Sequence, residues 1–174
     1  LVTALVSVEG ENRFALVRFG TDGKPDLTFG DEGRVITDFL SSGEETAFSV
    51  ALAPNGRIVI AGYAVVAGEY QMSVARYLSN GTLDTSLDGD GKILTVFPNM
   101  AGQAAKAVAV DANNRIVVAG FAWKGLNRQF AVARYTTSGA LDKTFDGDGL
   151  KLIDFASSNS ESAYCVGIDP SGRI

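Results

Sequence analysis

The stretch Arg57-Ile58-Val59-Ile60-Ala61-Gly62-Tyr63 returns as Arg115-Ile116-Val117-Val118-Ala119-Gly120-Phe121, 58 residues further along the chain. Only two positions differ, each by one apolar residue for another. The phrase begins a third time at Arg173-Ile174. Working outward, Arg18-Phe19, Arg76-Tyr77 and Arg134-Tyr135 keep the interval, and so do Gly33, Gly91 and Gly149. A long period with its landmarks in register means one supersecondary unit copied in tandem. The 174 residues therefore read as one repeat domain of units 1–58, 59–116 and 117–174.

Each period reads as four strands. A small-residue strand opens the unit at 47–53, 105–110 and 163–168, and Pro54-Asn55-Gly56 or Ala112-Asn113-Asn114 then turns the chain. The apolar strand 57–63 or 115–121 follows, then a loop and a third strand, 72–77 or 130–135. A longer polar turn reaches the fourth strand, 92–97 or 150–155. No stretch holds a 3.6-residue period with caps, so helices are not expected. Four short strands joined in sequence form an antiparallel meander, the unit of a propeller blade. The fold class is all-β, with four-stranded propeller blades in a 58-residue repeat. A β-solenoid or sandwich is the competing architecture.

Three stretches carry a family resemblance: Phe130-Ala131-Val132-Ala133-Arg134-Tyr135, residues 139–149 (GALDKTFDGDG) and residues 114–121 (NRIVVAGF). They resemble the delta-60 repeat, a bacterial β-propeller repeat of little-known function often found in large secreted or surface proteins. The resemblance covers essentially the whole chain in three copies. The first copy departs from it, with Pro25-Asp26-Leu27-Thr28-Phe29 in place of the Leu-Asp pattern and no Val-Ala-Gly signature in residues 1–8. The resemblance implies an extracellular or cell-surface location and supplies no catalytic residue.

Composition narrows the function classes. The net charge is −5 and the Lys and Arg residues are scattered, which disfavours nucleic acid and anionic membranes. The longest nearly apolar run, 58–68, is too short to cross a bilayer, so membrane insertion is not expected. Cys165 is the single cysteine and excludes an intramolecular disulfide; aligned with Ala107 and Ser49 on the inner strand, it is expected to be buried. The chain opens without Met, in mid-pattern, and reads as an excised or processed segment. There is no histidine, which removes the commonest general base and zinc ligand.

The recurring polar residues are weighed mainly as structure. Arg18, Arg76 and Arg134 lie in apolar strands, and Asp26, Asp84 and Asp142 follow each by eight residues across a turn, so three Arg–Asp pairs are expected. The acidic turns place Asp84, Asp88 and Asp90, then Asp142, Asp146 and Asp148, at a spacing that could wrap Ca²⁺. The full Asp-x-Asp-x-Asp-Gly loop with a distal Glu is missing, and a glycine-permitted turn is the favoured reading. Beyond that Ca²⁺ reading no cofactor is expected. Arg57, Arg115 and Arg173 are read as exposed charges at one rim. Trp123 and Arg128, in the loop 123–129, are the candidate ligand-binding residues, although packing of Trp123 on its own blade is the competing reading.

The expected function is a non-enzymatic binding or scaffold module that contacts a protein or glycan. It would use loops that differ between copies, 65–71 against 123–129 and 39–46 against 97–104. A Ca²⁺-stabilised structural repeat and, more remotely, a glycan-processing enzyme are the alternatives. Three blades do not close a ring, so either two chains associate head to tail as a six-bladed homodimer or the segment belongs to a longer chain.

Overall fold

The computed structural model describes residues 1–8, 10–39, 44–155 and 160–174. Eleven strands occur among them: β1 (Val2–Val8), β2 (Glu11–Val17), β3 (Arg34–Thr37), β4 (Glu45–Leu52), β5 (Ile58–Val66), β6 (Glu69–Tyr77), β7 (Lys92–Thr95), β8 (Gln103–Val110), β9 (Ile116–Lys124), β10 (Asn127–Tyr135) and β11 (Leu150–Ile153). They form three antiparallel meanders, β1-β2-β3, β4-β5-β6-β7 and β8-β9-β10-β11, which are propeller blades. The first has three strands and begins at the position of β5 and β9.

The blades stack face to face, and this explains why β5 and β9 are apolar without interruption. Side chains alternate across a strand. Ile58 and Ile60 face the first blade, in a core with Phe14, Leu16, Phe29 and Tyr77. Val59 and Ala61 face the third, with Met72, Val74, Val118 and Tyr135. Both faces of the middle sheet are covered, so both sets are buried.

Polar groups lock each seam between blades. The Tyr77 hydroxyl lies 2.6 Å from Thr37 Oγ1 in the preceding blade, and Tyr135 repeats this with Thr95 at 2.6 Å. The αL residues Gly30 and Asp88 donate their backbone N–H to the carbonyls of Asn80 and Ser138 in the following blade, at 2.9 and 2.8 Å. Arg76 Nη1 donates to the Thr137 carbonyl at 2.6 Å, and Arg18 reaches the Ser79 carbonyl in the same way.

Several expectations change. Residues 65–71 and 123–129 are not open loops: β5–β6 and β9–β10 are tight hairpins, the first turning at Ala67 and Gly68 with φ of 51° and 83°. Residues 40–43 of the 39–46 loop lie outside the described residues. Segment 163–168 is not a strand; the Ala163 N–H donates to the Gly120 carbonyl, and Ala163, Val166 and Ile168 pack with Val117, Ala119 and Val132 of the third blade. Cys165 is exposed rather than buried: among the described residues, no strand pairs with that segment.

Candidate functional site

The recurring charges close on one another. Arg18 Nε lies 2.8 Å from Asp26 Oδ2, Arg76 Nε 2.8 Å from Asp84 Oδ2, and Arg134 Nε 2.9 Å from Asp142 Oδ2. The other oxygen of each Asp caps its own turn, accepting from the backbone N–H and hydroxyl of Thr28, Ser86 or Thr144. Burial alone would raise the Asp84 carboxyl, but hydrogen bonds from Ser86 and Arg57 and the charge of Arg76 outweigh it and hold it at about 2.

Arg57 and Arg115 are not free rim charges. Arg57 pairs with Asp84, while Arg115 lies 2.6 Å from Asp111 and 3.4 Å from Asp142. The turn before β5 or β9 returns beside the Arg–Asp pair, so a second guanidinium shares the same carboxylate. Arg173 is exposed, but it too carries a carboxylate partner, Asp169, at 2.5 Å. A recess of about 270 Å³ at the second seam is lined by Arg57, Arg76, Ser86 and Ser138, yet both of its guanidiniums already face Asp84.

Among the described residues no three carboxylates converge as a metal site. Asp90 and Asp148 cap the N–H groups of Lys92 and Leu150, and Asp146 pairs with Lys151 at 2.9 Å. Asp88 and Asp146 stand at φ of 51° and 50°, a left-handed conformation that Asp tolerates and most residues do not. The Asp-Gly-Asp-Gly run is thus explained by backbone geometry and capping.

What remains is a strip of aromatic rings and cations across the second and third blades. Tyr70 and Tyr63 meet edge to face with centroids 4.8 Å apart, and Tyr63 meets Phe48 at 5.8 Å. Lys106 Nζ lies 3.3 Å from the Phe48 ring centre and 5.9 Å from that of Phe121. Arg128 covers Phe121 and Trp123 at 5.2 and 5.1 Å, and those two rings contact each other at 6.2 Å. Burial, with the charge of Arg128 beside it, lowers the Lys106 ammonium from its ordinary value. Gly102 fills the gap between Tyr70 and Trp123, each within 3.6 Å of where its Cβ would stand.

Local irregularities aim this strip. The ladder slips between Ala47 and Ser49 and again between Ala105 and Ala107, leaving Phe48 and Lys106 as the extra residues of two bulges. Trp123 is half-buried on its blade, and Leu126 at the adjoining hairpin tip is 94% exposed. Beside it a recess of about 280 Å³ is lined by Lys124, Asn127, Arg128, Gln129 and Asp154. Trp123 and Arg128 were legible from sequence. Phe48, Tyr63, Tyr70, Lys106 and Phe121 were not; the available signal was the variation of one inner-strand position, which holds Phe48, Lys106 and Tyr164 in successive copies.

A family model described as a domain of unknown function (DUF5122) beta-propeller matches residues 1–29, 53–87 and 112–145, more than half of the chain. No curated protein matches it.

Proposed function

This chain belongs to the DUF5122 beta-propeller family, a domain of unknown function, and we propose that it is a non-enzymatic binding module that holds a protein partner through its aromatic–cationic strip. The observation that carries this is the division of labour among the polar residues. Groups present in every blade are engaged with one another in the Arg–Asp pairs and turn caps. The residues of the strip occupy equivalent positions in successive blades but change chemistry between them, which is how a repeated frame acquires one specific surface.

Aromatic rings and Arg in a partly desolvated setting are the usual anchors of protein interfaces. Lys106 and Arg128 select a partner that presents carboxylates or other anionic groups beside apolar side chains. The rings meet edge to face instead of forming one flat platform, which favours a protein over a sugar ring. Placement at the cell surface or outside the cell is part of the proposal and is supported by the delta-60 resemblance. The absence of histidine from the sequence and the engagement of the repeated carboxylates support a role without catalysis.

Selection from a displayed library of acidic, aromatic-containing peptides provides the test, with affinities read by calorimetry. Trp123→Ala and Arg128→Ala should each weaken the selected peptides about tenfold or more, as expected for a hot spot, without lowering the melting temperature of Arg128→Ala. Peptides that bind both variants as well as the parent would remove the strip as the site. Retention on a glycan array, abolished by Trp123→Ala and unaccompanied by peptide binding, would transfer the site to carbohydrate.

A further inference from the structure

The recess at the seam between the second and third blades is walled by the turns before β5 and β9 and by the turn that follows β10. The first two turns are tied together by the Asn55 N–H, which donates to Asn114 Oδ1 at 3.2 Å. Both blades have all four strands, so the recess belongs to a seam that is closed within the chain.

Its charges do not balance. In the third blade Arg115 and Arg134 meet two carboxylates, Asp111 and Asp142. In the second blade, among the described residues, Arg57 and Arg76 share Asp84 alone. The missing carboxylate is visible in the sequence, where Ala53 stands at the position of Asp111 and Asp169. The turn itself is unchanged: the N–H groups of Ala53, Asp111 and Asp169 donate to the carbonyls of Arg57, Arg115 and Arg173 at 2.9, 3.0 and 2.9 Å. Two guanidiniums against one carboxylate leave one positive charge over, and the Arg57 side chain is 34% exposed at the recess.

Oxygens on the wall of the recess are engaged from within. Thr137 and Ser138 give their carbonyls to Arg76 Nη1 and to the Asp88 N–H, at 2.6 and 2.8 Å. Asn55 Oδ1 accepts the Arg57 N–H at 3.2 Å, and Asn114 Oδ1 is taken by Asn55. Each amide thus keeps its –NH2 in hand. Among the described residues, neither Asn Nδ2 nor either terminal nitrogen of Arg57 meets an acceptor. Asn114 is itself a departure from the repeat. Gly56 and Gly172 hold its position, and Asn114 accepts the same left-handed backbone, at φ 61°, to bring an amide there. Surplus positive charge beside unspent donors selects an anion.

We propose that this recess is a carboxylate-binding site, in which the Arg57 fork takes both carboxylate oxygens and the Asn55 and Asn114 amides close around them. The two terminal nitrogens of a guanidinium lie in one plane and match the edge of a carboxylate. One carboxylate cancels the single surplus charge, whereas a doubly charged phosphate would leave a negative excess beside Asp84. The volume of about 270 Å³ falls under the roughly 300–1,000 Å³ of pockets for drug-sized ligands, which suits a short acid or the acidic side chain of a peptide. The site shares no residue with the aromatic–cationic strip, so its test is independent of that one.

Magnetic-resonance titration of the isotope-labelled chain with sodium acetate, against sodium chloride at equal ionic strength, tests this. Acetate should give saturable shifts centred on the side-chain signals of Arg57, Asn55 and Asn114, and chloride should not. Ala53→Asp supplies the carboxylate that the equivalent turns already hold. It should weaken acetate at least about tenfold while circular dichroism shows the fold intact. Asn114→Gly restores the glycine of the other turns and should weaken acetate about threefold. Butyrate and a blocked peptide with a single glutamate then separate the two sources. Tighter binding of the peptide assigns the site to an acidic partner chain, and tighter binding of butyrate assigns it to a free acid. The absence of saturable shifts with acetate, binding that survives Ala53→Asp undiminished, or inorganic phosphate held more tightly than acetate would each overturn the proposal.

Discussion

Glu45 shows how one residue can carry a structural task in a chemically awkward form. It is 3% exposed, and its Oε1 accepts the Phe39 N–H at 2.7 Å. In the next blade Gln103 takes the Phe97 N–H at 3.1 Å, and Glu161 takes that of Phe155 at 3.1 Å. Burial raises the Glu45 carboxyl above its ordinary value. A carboxyl raised in the folded state binds its proton more tightly there, so ionisation opposes folding. The penalty is absent below the unfolded value of about 4.3 and grows as pH rises towards the folded one. Glu45→Gln keeps the acceptor and removes the charge, as Gln103 already does. It should therefore stabilise the protein by about 1 kcal/mol at pH 7 and leave it nearly unchanged at pH 4. Denaturant melts at the two pH values check this, and a loss of stability at pH 7 would mean that attraction to Arg13 outweighs burial.

The strands of one blade meet at a bulge beside a glycine. A Cβ on Gly120 would stand 1.9 Å from the Ala104 carbonyl oxygen, and one on Gly62 1.8 Å from that of Thr46. That contact lies next to the displaced Lys106 or Phe48, so the glycine and the bulge are parts of one device. Gly120→Ala should cost about 1–3 kcal/mol, the range for overpacking, seen as a lower urea midpoint. It should also displace Lys106 from Phe48 and Phe121. An unchanged midpoint would show that β8 can move away freely. Much of this was readable beforehand, and the reason is physical. The blades, the strand order and the Arg–Asp offset of eight residues recur at a fixed period, and recurrence exposes them. The aromatic strip was not readable, because its members share positions without sharing chemistry and are aimed by bulges that leave no period-two signature. Arg57 was misplaced for a related reason: its carboxylate, Asp84, lies 27 residues away, in a contact only the stacked strands bring together, while Arg115 reaches Asp142 over the same interval but sits closer to Asp111 in its own turn. Cys165 was misplaced because alignment with buried Ala107 presumes a covering sheet.

Across the whole molecule, what repeats joins blades, and in the function proposed above what varies meets the partner. Arg76 belongs to the first kind. It is 4% exposed, faces Asp84 within its blade and donates to the Thr137 carbonyl of the next. Arg76→Leu leaves the Asp84 carboxylate, 5% exposed, with only Arg57 to neutralise it, and opens the seam. Removing one partner of a buried pair costs about 3–5 kcal/mol, which in a domain of this size lowers the melting temperature by roughly 6–20 °C. Trp123 belongs to the second kind: half-buried at a hairpin end, its ring meets Phe121 edge to face and lies against Arg128. The most direct test of this division is therefore thermal melting of Arg76→Leu and Trp123→Ala side by side with the parent. A large drop for Arg76→Leu, with Trp123→Ala within about 3 °C of the parent, is the expected result; a small drop for Arg76→Leu together with a large one for Trp123→Ala would contradict it.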